Sequence, residues 1–158
     1  MGFLTFILSL AIANVSGYCL YHSAQSIPKL QQYERKAEKA AEWSDVAAKR
    51  LWDTRYTVGA GFVMTAISLL SSLSNIFYGA SSTAGFFGTL RGVAWAALLG
   101  GGELAASGYM KSFWADKRKI PLMDDYNDAV SDTVKVMGLS DALAVGWGLL
   151  AVLRLLRY

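Results

Sequence analysis

Four stretches of the chain are almost free of charge. Met1–Pro28 and Tyr56–Leu90 contain no Lys, Arg, Asp or Glu; Thr83–Met110 carries only Arg91 and Glu103, and Met137–Leu156 only Asp141 and Arg154. A helix rises about 1.5 Å per residue, so about 20 residues cross a hydrocarbon core about 30 Å thick. Each stretch meets that length. The pattern predicts spans near 3–21, 57–78, 84–110 and 137–156, joined by charged segments 22–56 and 111–136. The first is read as a retained span and not a signal peptide, because no basic residue precedes it and its apolar run exceeds the usual 7–15 residues or so.

Between the first two spans, Leu30, Tyr33, Ala37, Ala40, Ala47 and Leu51 recur at helical spacings among charges of both signs. The segment therefore reads as a mixed-charge helix extending the second span into the cytosol. Trp43 and Trp52 would lie near the headgroups. In the later connector, Asp124, Asp125, Asp128 and Asp132 fall on one helical face. A solvated face accounts for them, with a divalent-cation site as the alternative.

Composition supports the membrane reading. Of 158 residues 54% are hydrophobic and 17% charged, and mean hydropathy is +0.32. That balance excludes disorder, collagen and coiled coil. The single cysteine, Cys19, excludes an internal disulfide framework and a cysteine-rich zinc site. The basic residues are placed unevenly: the two charged connectors hold twelve Lys and Arg, whereas the other side holds Arg154 and Arg157. The positive-inside rule then puts both connectors in the cytosol and both ends in the lumen of an endomembrane such as the endoplasmic reticulum, or outside the cell. Orientation accounts for the basic excess and leaves no nucleic-acid signal. The expected fold is all-α, a single integral-membrane four-helix bundle over residues 1–158 with a cytosolic helical extension.

Small residues recur every fourth position along the third span, at Ala84, Gly88, Gly92, Ala96 and Gly100, and along the fourth at Gly138, Ala142 and Gly146. Such ridges let backbones approach where lipid supplies no hydrophobic drive. They predict close packing, either within the monomer or at a homodimer or membrane-partner seam.

Charged groups inside a bilayer are costly and become functional candidates. In the expected topology Tyr18, His22, Arg55, Tyr56, Glu103 and Asp141 converge on the cytosolic half, while Asn75, Tyr78, Arg91 and Arg154 form a second polar level. His22, the sole histidine, is the candidate general base, and Glu103 the candidate proton carrier. Tyr18, Arg55, Tyr56 and Asp141 would bind an apolar small molecule, and His22, Tyr56, Glu103 and Asp141 would line one cavity of roughly 300–1,000 Å³. The alternative is structural: Glu103 and Asp141 pair with Arg55, Lys111 or backbone, and His22 is an interfacial residue. No Walker loop, dinucleotide fingerprint, HExxH or GxSxG is present. One histidine cannot supply the ligands of a membrane haem or di-iron oxidase. No metal or other cofactor is expected.

The order of parts resembles the anthrone oxygenase-like family of small four-span proteins. The likeness covers most of the chain as layout: Ser26-Ile-Pro-Lys-Leu30 after the first span, a Trp-containing helix leading into Tyr56-Thr-Val-Gly59, Pro121 after the third span, and a last span with Trp and Arg. Ala60 and Leu122-Met123-Asp124 stand where the family carries a histidine and a Thr-Asn pair. The resemblance implies a cofactor-independent oxygenase, an oxidoreductase of secondary metabolism acting on a flat, lipid-soluble polyketide-type substrate. His22 or Glu103 would form the carbanion, and Tyr18, Tyr56 or Arg55 would stabilise the enolate oxygen. The competing expectation is a non-catalytic tetraspan scaffold or accessory subunit that packs through its glycine ridges.

Overall fold

The computed structural model describes residues 2–41, 45–78, 86–114 and 124–156, with side-chain detail outside 30, 32–51, 54 and 124–129. They form four helices: α1 (Phe3–Ala41), α2 (Asp45–Tyr78), α3 (Phe86–Trp114) and α4 (Asp124–Leu155). Three are long and apolar enough to cross a membrane, over Phe3–Lys29, Arg55–Tyr78 and Val130–Leu155. The third expected span falls on α3, which has the length but is not one of those three, its apolar run being broken by Arg91, Glu103 and several glycines. The charged connector after the first span divides differently from the expectation. Residues up to Ala41 continue α1, through Pro28, and those from Asp45 begin α2. Ala84, Trp43 and Pro121 lie outside the described residues, and Asp124, Asp125 and Asp128 outside the described side chains.

Neighbouring helices run antiparallel. On α1 and α4, Ile12 meets Gly146 and His22 meets Asp132; on α2 and α3, Gly61 meets Met110 and Ser71 meets Trp95. On α3 and α4, Gly92 meets Arg154 and Ser107 meets Asp141. Helix α1 packs on α2 and α4, and α3 on α4, with α2 and α4 across the diagonal.

Spacing explains the assembly. Thr5, Ser9, Ile12, Ser16, Cys19, Ser23 and Ser26 are all buried and follow one another at alternating steps of four and three residues. That 3.5-residue repeat keeps one seam of α1 on its partners. Helix α2 presents Thr57, Gly61, Thr65, Ser68 and Ser72 inward, and α4 presents Thr133, Ser140, Leu143, Trp147 and Leu150. The interior is thus small and rich in hydroxyls, whereas large apolar side chains face outward. Phe87 is 82% exposed, Leu70 68% and Val145 62%. A water-soluble domain would bury such residues.

Two apolar clusters fill the bundle. One holds Ile12, Ala96, Leu99, Leu143, Trp147 and Leu150; the other holds Cys19, Met110, Trp114, Val130, Val136 and Met137. Between them along the axis lies a polar layer.

Candidate functional site

Glu103 is the centre of that layer. Its helix places it one turn from Leu99 and two turns from Met110, so it emerges between the two clusters with no exposed surface. Ser68 Oγ on α2 donates to Glu103 Oε1 at 2.6 Å and accepts from Trp147 Nε1 on α4 at 3.1 Å. One serine therefore ties α2, α3 and α4 together. Cys19 of α1 adjoins the same layer, its Sγ 3.6 Å from Thr65 Oγ1. Ser140 of α4 lies beside both the thiol and the carboxyl group, yet its hydroxyl and Glu103 Oε2 have no hydrogen-bond partner.

Toward the charged connectors stands a second cluster. Asp132 receives Lys29 Nζ at 3.2 Å on Oδ2 and Lys135 Nζ at 3.4 Å on Oδ1. His22 Nδ1 approaches Oδ1 at 3.4 Å, an ion-pair separation without the alignment of a hydrogen bond. Tyr18 and Tyr21 set their rings edge-on to the imidazole, with centroids at 4.6 and 5.6 Å. Deeper in, Ser23, Ser26, Val58, Met110, Thr133 and Val136 line a recess with room for about one water molecule.

The expected site residues are thus divided. His22 and Tyr18 share a position, but His22 has Asp132 as its neighbour and Glu103 has Ser68. Asp141 accepts from Ser107 Oγ at 2.6 Å and from Lys111 Nζ, which matches the structural alternative for that carboxylate. Tyr56 and Arg55 lie at the surface beside Trp52, Arg55 at 5.6 Å from its ring centroid and the Tyr56 ring at 6.0 Å. None of these six lines the recess.

The small-residue ridges also divide. Gly92 lies under Arg154, Ala96 is fully buried, and a Cβ on Gly100 would stand 3.2 Å from the Ala144 carbonyl oxygen, so this face of α3 packs on α4. Gly88 is half-buried near the start of the helix. On α4, Gly146 packs instead on Ile12 of α1, while Gly138 and Ala142 are exposed. At the far end of the bundle Arg154 donates to Gly92 O at 2.8 Å and to Asn75 Oδ1 at 2.7 Å, bridging α4, α3 and α2. Arg91 and Tyr78 of the expected second level are exposed.

Sequence reasoning missed Ser68, Trp147, Ser140 and Thr65 as partners of the central layer, and Asp132 as the residue facing His22. The hydroxyl seam of α1 was available as a signal in the alternating spacing from Thr5 to Ser26. No known protein family, curated protein or solved structure matches the chain. Its function therefore rests on its own geometry.

Proposed function

We propose that this chain is a four-span integral membrane protein acting as a non-catalytic scaffold or accessory subunit, which presents one face of α3 to another membrane helix. The observation that carries the reading is the outward surface of α3. Phe86, Phe87, Leu90, Leu98 and Leu104 are exposed there, which suits lipid contact despite the broken apolar run of the helix. Among them Ala97, Gly101 and Ala105 form an exposed small-residue stripe at four-residue steps, and a Cβ on Gly101 would meet nothing within 4 Å. Small residues facing lipid sacrifice packing unless another backbone approaches.

The charge bias of the connectors supports cytosolic placement of both, with the chain ends lumenal, in an endomembrane such as the endoplasmic reticulum. An oxygenase-type reading asks His22 and Glu103 to act on one apolar substrate. Their separate neighbours favour the scaffold over that reading.

The test is cross-linking in native membranes through a cysteine at Ala97, in a Cys19→Ser background. A discrete cross-linked complex that Gly101→Ile abolishes is the expected result. A chain that remains monomeric and is indifferent to Gly101→Ile overturns the scaffold. Glycan acceptor tags at either chain end, modified in the lumen, test the orientation separately.

A further inference from the structure

The central layer contains more polar atoms than it satisfies. Glu103 Oε2, Ser140 Oγ and Ser23 Oγ are buried without hydrogen-bond partners, and such groups in native interiors call for a proton or a water. The groups facing Glu103 include no cation among the described residues. Helix α1 offers Cys19, α2 offers Ser68, and α4 offers Ser140 and, through Ser68, Trp147. Asp141, next to Ser140, is engaged by Ser107 and Lys111. Oε1 already accepts from Ser68. Oε2 has no donor facing it, so a carboxyl group that carries a proton there avoids burying a bare charge away from any cation.

Small polar side chains also lead toward that position. Ser26, Ser23 and Cys19 follow one another by single helix turns along the buried face of α1, from the Asp132 cluster toward Glu103. The water-sized recess is lined by Ser23, Ser26 and Thr133, and the chain neighbours of Ser23 and Thr133, His22 and Asp132, approach each other at 3.4 Å.

We propose that Glu103 is a reversible intramembrane proton-binding site, loaded by water from the Asp132 end along the Ser26–Ser23–Cys19 face. The step is a bare proton transfer. A hydronium gives its proton to Oε2 and leaves as water, and the return reverses it, with no other bond made or broken. The inference rests on the membrane placement proposed above, and does not depend on any partner of α3.

Infrared spectroscopy of the purified full chain in lipid nanodiscs tests it. Glutamate is isotope-labelled at its carboxyl carbon; the other glutamates, Glu34, Glu38 and Glu42, belong to the charged connector. The expected result is a protonated-carboxyl band that carries the label, appears and disappears reversibly with bulk pH, shifts in heavy water, and is lost in Glu103→Gln. Ser23→Val slows the heavy-water shift severalfold. Should Glu103→Gln fail to fold, the labelled native band and its shift in Ser140→Ala decide the matter. Absence of the band at every pH where the bundle stays folded overturns the proposal. So does a band that neither titrates nor exchanges, which marks a fixed structural donor. Loss of cross-linking at Ala97 would end the scaffold reading and leave this band unchanged.

Discussion

Ser68 donates a hydrogen bond to Glu103 Oε1 across the α2–α3 contact while accepting one from the Trp147 indole N–H on α4. The three groups are buried at the depth where the two apolar clusters meet. Hydrogen-bonded polar chains of this kind fix helix register, because sliding either neighbour by a turn would strand a buried polar atom.

Ser68→Ala therefore leaves both Glu103 Oε1 and the Trp147 indole N–H unpaired, and each buried orphan costs about 1–3 kcal/mol. The variant should unfold at lower denaturant in mixed micelles, followed by tryptophan fluorescence. Ser68→Thr, which keeps the hydroxyl, should recover much of the loss. Equal stability of Ser68→Ala and the native chain would remove the three-helix link.

Two adjacent glycines of α3 should respond oppositely to the same change. A methyl group on Gly100 meets the Ala144 carbonyl oxygen at 3.2 Å and Trp147 Cβ at 3.4 Å, backbone and near-backbone atoms that cannot swing away. Gly100→Ala should destabilise by about 1–3 kcal/mol as an overpacked contact. Gly101 faces open space, so Gly101→Ala should stabilise the helix by up to about 1 kcal/mol. Paired unfolding curves of the two variants check the assignment of inner and outer faces.

The helices were legible because charge is excluded over lengths that only a span or a buried helix requires. The extent of α1 was less legible: the expected span ended at 21, whereas the helix continues through Pro28 to Ala41. A proline reads as a boundary in water, yet a helix packed against neighbours can satisfy the carbonyl it frees. Glu103 stood out by its charge, but its partners did not. Ser68 and Ser140 lie tens of residues away in apolar stretches, and only the pairing of helices brings them together. The ridges show a further limit. Steps of four residues rotate about 40° around a helix each time. Gly138, Ala142 and Gly146 therefore turn from the outer surface toward α1 instead of tracking α3. The alternating steps of α1 stay on one face and are the better guide to the seam.

At the far end of the bundle the fork of Arg154 spans two acceptors on two helices, Gly92 O and Asn75 Oδ1. A lysine has no fork and cannot hold both at these distances. Arg154→Leu should cost about 1.5–3 kcal/mol, the range for hydrogen bonds to charged groups, and Arg154→Lys an intermediate amount. A double-mutant cycle with Asn75→Ala should show strong non-additivity. Additive losses would mean that the two side chains act independently.

The Asp132 cluster should be asymmetric. Lys29 and Lys135 have side chains 36% and 53% exposed, whereas that of Asp132 is 10% exposed. Solvent and salt screen the lysines, so Lys135→Ala should change stability by less than about 1 kcal/mol. Removing the shared carboxylate is different, since Asp132→Ala leaves Lys29, Lys135 and, when protonated, His22 facing one another without an anion. Its loss should exceed the summed effects of the two lysine substitutions, and should shrink as added salt screens the repulsion among the remaining cations. Unfolding midpoints of the three variants at low and high ionic strength separate this from simple loss of a surface pair, for which all three effects would be small and equal.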